Sequence, residues 1–284
     1  MNYHKPIGTD YFVYAPHGTY LESREILSPG IYAVKDGAGW QQPMLPMFFP
    51  VREKDNLISF SEGAVKAVIT EMENFLSIGT KEKYTELKIC HKTGMLLYGP
   101  AGTGKSSVAM LAMKMAVEKF GVVCLDFTGQ RMDLVIAVTG IVREKQSTPI
   151  VVFMDEIDES IETKEYKWLH FLDGSDSVES CIVIGCTNNM EKIPARIKER
   201  KSRIKETFLV DRLPDAVYKE YLRGKLPNME PAQSSKFCYH AMEAHLSIDQ
   251  FKHAIMEHHL WGMDILKAIN KVKKFTPAEI EDLG

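Results

Sequence analysis

Eight consecutive residues, Gly99-Pro100-Ala101-Gly102-Thr103-Gly104-Lys105-Ser106, have the types and spacing to hold a phosphate. They satisfy the pattern G-x-x-x-x-G-K-[ST] at every specified position. The glycines let the backbone turn tightly enough for its N–H groups to surround an anion. Lys105 would reach the outer phosphates of a nucleoside triphosphate, and the Ser106 hydroxyl would ligate Mg²⁺. The apolar run Met95-Leu96-Leu97-Tyr98 predicts a buried strand just before the loop. From Ser106 to Phe120 the spacing of Val108, Leu111, Ala112 and Met115 predicts a helix, whose N-terminus adds a positive dipole end. A glycine-rich turn without a ligand would account for neither flank. The candidate nucleotide-binding set is Gly99, Pro100, Ala101, Gly102, Thr103, Gly104, Lys105, Ser106 and Ser107.

A second motif follows about 50 residues after Lys105, where Ile150-Val151-Val152-Phe153-Met154 runs into Asp155-Glu156. Parallel strands deliver their C-terminal residues to the ligand-binding edge of a sheet. Asp155 there can hold Mg²⁺ through water, and Glu156 can orient or deprotonate an attacking water. A further apolar run, Ile182-Val183-Ile184-Gly185-Cys186, ends in Thr187-Asn188-Asn189. It is expected between the two motif-bearing strands. Two readings of Asn188 stay open on these residues alone: a hydrogen-bond partner for the γ-phosphate or lytic water, or an ordinary strand terminator.

These motifs need elements to carry them. At 284 residues the chain has room for one large domain or two moderate ones. Its 45% hydrophobic and 26% charged content is that of a globular protein, and a net charge of −3 argues against wholesale coating of nucleic acid. No apolar run approaches a membrane span, and Met1-Asn2-Tyr3-His4-Lys5 has no signal-peptide core. Cys124, Cys181 and Cys186 fall in or beside strand-like runs and read as buried thiols of a reducing compartment. The expectation is a soluble cytoplasmic protein with no membrane partner.

Strand-like runs at Val122–Phe127, Ile150–Met154, Ile182–Cys186 and Thr207–Val210 alternate with helical patterns, which predicts a parallel sheet with helices on both faces. Ser61 can cap a helix running to about Leu76, and a polar stretch from Lys81 to Lys92 leads into the loop strand. Before this core, aromatics crowd the first 50 residues, among them Tyr11, Phe12, Tyr14, Tyr32, Trp40, Phe48 and Phe49. They read as a short β-leaning module that either packs on the core or docks a client. After Pro214 the β pattern stops and helical periodicity takes over, with Ser247 as a cap.

Gly99–Ser106, Asp155-Glu156-Ile157-Asp158, Leu172-Asp173-Gly174 and Thr187-Asn188-Asn189, in that order, resemble the AAA+ ATPases, specifically the AAA clade proper. The Leu-Asp-Gly and Thr-Asn-Asn elements are similar to the mitochondrial Rieske-protein translocase branch. The resemblance implies a P-loop α/β fold with a five-stranded parallel sheet, followed by a small all-α lid. The resulting division is an N-terminal module at 1–56, an ATPase core at 57–213, a lid at 214–275 and a tail at 276–284. It implies ATP and Mg²⁺ as cofactors and a homo-oligomeric, usually hexameric, ring with nucleotide between neighbours. It further implies that Asn188 is the sensor-1 asparagine and that Arg200 and Arg203 are arginine fingers. On its own, the basic run Arg196–Lys205 reads equally as a solvated face or a nucleic-acid patch.

Two departures bear on function. The family's unfoldases carry an aromatic-hydrophobic-Gly loop after the second core strand. Here that connection is Thr128-Gly129-Gln130-Arg131-Met132-Asp133, with no aromatic at its tip. Second, no arginine follows Leu246-Ser247-Ile248-Asp249-Gln250-Phe251 on the lid helix, which leaves lid-to-phosphate contact unassigned. The expected function is a Mg·ATP-dependent AAA+ ATPase ring that remodels a macromolecular client, a protein rather than a nucleic acid. The alternatives are a nucleic-acid-handling loader and a nucleotide-gated scaffold.

Overall fold

The computed structural model describes residues 11–14, 21–37, 45–51, 63–174, 176–211 and 214–273. Strands Tyr11–Tyr14 (β1), Leu21–Arg24 (β2), Gly30–Gly37 (β3) and Leu45–Pro50 (β4) come first, then helices Gly63–Leu76 (α1) and Thr80–Glu86 (α2). The middle of the chain alternates: Lys92–Tyr98 (β5), Lys105–Phe120 (α3), Val123–Asp126 (β6), Met132–Lys145 (α4), Ile150–Met154 (β7) and Ile157–Asp173 (α5). Cys181–Thr187 (β8), Ala195–Lys198 (α6) and Glu206–Leu209 (β9) complete it. Helices Asp215–Lys225 (α7), Pro231–Glu243 (α8), Ile248–Trp261 (α9) and Ile265–Lys273 (α10) follow. The expected cap Ser61 lies outside the described residues. Helix α2 occupies the first part of the stretch read only as polar; none of its residues is buried, so it leaves no apolar periodicity to detect.

The strand order is β2-β1-β4-β3-β6-β7-β8-β5-β9. The segment β6-β7-β8-β5-β9 is the five-stranded parallel sheet of a P-loop fold. Strand β8 lies between β7 and β5, as the position of its motif suggested. Period-two alternation sorts the side chains. Met95, Leu97, Val151, Phe153, Ile182 and Ile184 pack beneath α1 and α3, whereas Leu96, Ile150, Val152, Met154 and Val183 pack beneath α4 and α5. With both faces covered, these strands read as continuous apolar runs. The last four helices bury a cluster of their own around Tyr218, Leu222, Phe237 and Phe251. Ser247 caps α9 in a capping box: its Oγ accepts from Gln250 N at 3.3 Å and Gln250 Oε1 accepts from Ser247 N at 2.9 Å. No helix among the described residues is long and apolar enough to cross a membrane.

The N-terminal strands continue this sheet. β3 pairs in parallel with β6 in the register Gly30↔Val123 to Ala33↔Asp126, and β4 adds antiparallel to β3. An unpaired β6 edge would expose a row of backbone donors and acceptors, and the N-terminal chain covers it. Tyr32 and Phe48 are buried edge-to-face, so these two aromatics serve as packing area. A side-chain clamp precedes β3: buried Gln146, at the end of α4, accepts from Leu27 N at 2.8 Å through Oε1, and its Nε2 donates to Leu27 O at 3.4 Å. Gln146→Ala strands a buried N–H and is expected to weaken this attachment by about 1–3 kcal/mol. Hydrogen exchange checks it: the Leu27 amide should lose protection while the β5 amides keep theirs, and equal protection in both proteins would refute the clamp.

Candidate active site

Strand β5 ends at Tyr98, and the chain turns there through a loop that only glycine permits at two points. Gly99 has φ +148°, and a Cβ on it would fall 2.1 Å from the Val210 carbonyl oxygen. Gly104 has φ +96° immediately before α3, and a Cβ there would lie 2.9 Å from a methyl of Ile248 on the lid. The loop braces itself internally, with Thr103 Oγ1 donating to Pro100 O at 2.9 Å. Lys105, the first residue of α3, is buried, and its Nζ donates to Gly99 O at 2.8 Å and to Pro100 O at 2.6 Å. Burial pushes the ammonium pKa down, while the Asp155 carboxylate pulls it back up. An ammonium seated on two neutral carbonyls is poised to exchange them for phosphate oxygens, which are far stronger acceptors for it.

The two acidic residues follow the end of β7, at the same sheet edge. Ser106 Oγ donates to Asp155 Oδ2, although 49 residues separate them. The residues read as metal ligands are thus in contact, and a hydroxyl with a carboxylate is an all-oxygen donor pair suited to Mg²⁺. Asp155 Oδ1 accepts from Glu156 N at 3.0 Å, and Asp155 N donates to Thr128 Oγ1 at 3.1 Å. Glu156 is exposed and holds φ 52°, ψ 43°, the left-handed region that a non-glycine residue rarely adopts. Strain of this kind concentrates at functional sites, where surrounding structure over-determines it.

Asn188 follows β8 directly and is exposed. The register Tyr98↔Thr187 puts it beside Gly99, at the mouth of the loop. Buried Thr187 anchors it, donating through Oγ1 to Asp158 Oδ1 at 2.7 Å and accepting from Asn189 N at 2.9 Å. Asp158 is therefore a support for the asparagine turn. Sequence reasoning quoted both residues in its motifs without finding this role, because 29 residues separate them.

Two further features were missed. A cavity of about 230 Å³ opens beside the loop, lined by Gly63, Ala64, Val65, Thr103, Gly104, Ser107, Val108, Leu111, Leu209, Val210, Asp211, Pro214, Val217 and Ile248. Apart from Asp211 its walls carry no charge, as a flat heterocycle requires. The lid also touches the loop through the first turn of α9, where Asp249 N donates to Gly102 O at 3.4 Å.

The two arginines are not at this edge. Lys205 N donates to Gly94 O at 2.8 Å, and a Cβ on Gly94 would meet the Arg203 carbonyl, so the Arg200–Arg203 turn flanks the start of β5. Arg203 is turned into its own chain, its Nη1 donating to Arg196 O and its Nε 3.8 Å from Asp173 Oδ2. Arg200 is exposed. Much of the surrounding basic run is neutralised locally: Arg196 pairs with Glu165, Lys201 with Glu206 and Lys205 with Glu71.

The loop, the paired Ser106 and Asp155 and the parallel sheet point to one family, and the model of the ATPase family associated with various cellular activities (AAA) matches residues 95–212. Residues 95–212 of the chain thus carry an AAA ATPase domain. The chain is 28% identical over 186 residues to the proteasome-associated ATPase of Mycobacterium leprae, covering 52% of the chain and 30% of the relative. The proteasome-associated ATPases of Mycobacterium ulcerans and Mycobacterium tuberculosis match to the same extent. The chain thus spans 30% of the length of these relatives. Members of the superfamily bind nucleotide, generally ATP with Mg²⁺, and the Ser106–Asp155 pair of this chain fits such an ion.

Proposed function

We propose that this chain hydrolyses ATP within a homo-oligomeric, hexameric ring and uses the cycle to remodel a protein client. The observation that carries the proposal is the contact of Ser106 with Asp155 next to a buried Lys105, all at the C-terminal edge of a parallel sheet. Lys105 and the loop amides of Gly102, Thr103, Gly104 and Ser107 hold the phosphates, and the apolar cavity takes the base. Ser106 and Asp155 would hold Mg²⁺, which when bound neutralises developing charge on the phosphates. Glu156 orients a water and accepts its proton as the oxygen attacks the γ-phosphorus and the bond to the bridging oxygen breaks, ADP leaving with that oxygen. Asn188 hydrogen-bonds that water or the γ-phosphate. Arg200 and Arg203 serve the nucleotide of an adjacent copy.

A protein client is favoured over nucleic acid because the ion pairs of Arg196, Lys201 and Lys205 with Glu165, Glu206 and Glu71 leave less uncompensated positive charge than a phosphate-backbone site needs. The names of the mycobacterial relatives agree with a protein client.

Phosphate release from ATP, measured over a range of protein concentrations, tests the proposal. Wild-type turnover should rise with concentration as rings form. Lys105→Ala should weaken ATP binding about 10- to 100-fold, the worth of a charge-assisted hydrogen bond. Absence of turnover at every concentration would sink the ATPase reading. Turnover stimulated by DNA and lost steeply with salt would replace the protein client with nucleic acid.

A further inference from the structure

The turn after β6 is bonded to the acid after β7. The ladder between these strands ends with Asp126↔Phe153 and the bond from Phe127 N to Phe153 O at 2.9 Å. Beyond it the Asp155 amide has no ladder partner, and Thr128 Oγ1 takes that place as acceptor at 3.1 Å. Thr128 is itself fixed from the other side: its own N–H donates to Asp126 Oδ1 at 2.9 Å, while Gln130 N donates to Phe127 O at 2.8 Å and closes the turn. Both Thr128 and Gly129 are exposed, so a molecule touching this turn touches the residue that holds the Asp155 peptide.

We propose that Thr128 is a positioning residue that sets the Asp155 carboxylate against Ser106 and couples the exposed β6–α4 turn to the metal-binding acid. With its N–H held, the Asp155 peptide keeps its orientation, and the Cα–Cβ bond that aims the carboxylate toward Ser106 Oγ is held with it. A hydroxyl is needed at position 128 because the acceptor must come from a side chain once the backbone ladder has ended. Serine supplies it and valine does not. Displacing the turn would release the amide and loosen the grip on the ion, which gives a client a route to the rate of hydrolysis. The inference rests on the reading of Asp155 as a Mg²⁺ ligand.

The test is the Mg²⁺ concentration giving half-maximal binding of a fluorescent ATP analogue, and half-maximal ATP turnover, in Thr128→Val, Thr128→Ser and Asp155→Asn proteins. Outer-shell partners of ligands affect metal affinity about 10- to 100-fold, so Thr128→Val should need about 10-fold more Mg²⁺. Its kcat should return at saturating Mg²⁺ with the KM for ATP unchanged, and Thr128→Ser should follow the wild type. Position 128 is exposed, so valine leaves the fold intact, and an unchanged Tm checks this. If Asp155→Asn raises the Mg²⁺ requirement and Thr128→Val does not, the positioning role is refuted and the metal reading stands. If Asp155→Asn leaves the requirement unchanged, both are refuted.

Discussion

Glu156→Gly is expected to raise the melting temperature of this protein while abolishing its turnover. The prediction follows from one dihedral pair. Glu156 sits at φ 52°, ψ 43°, where a Cβ crowds the following carbonyl and costs about 1–2 kcal/mol. Glycine removes the Cβ and should recover about 1 kcal/mol, a rise of about 2 °C in a chain of this size. The same substitution deletes the carboxylate that accepts a proton from water, a contribution of about 10²- to 10⁴-fold. Glu156→Gln separates the two effects. Glutamine retains the Cβ and its strain, so the stability should stay within about 0.5 kcal/mol of the wild type while turnover falls equally. ATP binding should survive in both variants, because the phosphate contacts come from the loop and Lys105. Calorimetry with steady-state phosphate release decides the matter. A glutamine variant with near-normal turnover would remove Glu156 from the chemistry, and a glycine variant that melts lower would show that the strain lies elsewhere.

Arg200→Ala and Lys105→Ala proteins, each impaired alone at ATP concentrations that just saturate the wild type, should recover turnover when mixed. The Arg200–Arg203 turn lies beside Gly94, five residues before Gly99 on β5. At about 3.3 Å per residue, that is about 16 Å from the loop, further than an arginine side chain spans. The arginines are therefore out of reach of their own chain's nucleotide, and the role proposed for them is on a neighbour's. A trans-acting arginine contributes about 10³- to 10⁵-fold to phosphoryl transfer, so Arg200→Ala should lose about 10³-fold or more with ATP still bound. In a mixed ring, an interface joining an intact Lys105 to an intact Arg200 arises about once in four. Activity of the mixture no greater than the sum of its parts would refute action in trans. Arg203→Ala, compared alongside, divides the role. Arg203 must leave Asp173 and the Arg196 carbonyl to reach outward, whereas exposed Arg200 need not.

The parts of this protein legible in its residues are those that local physics dictates. The phosphate loop is an eight-residue backbone conformation written in glycines, and the helix after it begins where the loop ends. The four buried strands β5 to β8 announce themselves as apolar runs because both faces of the sheet are covered there. The Ser247 cap is readable because its partner, Gln250, is three residues away. Helix α2 was not readable, since a helix that buries nothing carries no periodic signal.

What tertiary structure alone decided is everything that depends on which distant residues meet. The contacts of Ser106 with Asp155, Thr128 with Asp155, Asp158 with Thr187 and Gln146 with Leu27 join residues 27 to 119 positions apart. Their partners are chosen by strand order and register, which no single segment encodes. The same holds for the N-terminal strands, which could be read as a module but whose place on the β6 edge depends on β6 being open. It holds for the arginines, whose residue types fit the chemistry while their distance along β5 determines whose nucleotide they can reach. Residue type and short spacing carried the chemistry; long-range pairing, fixed only when the sheet assembles, carried its geometry.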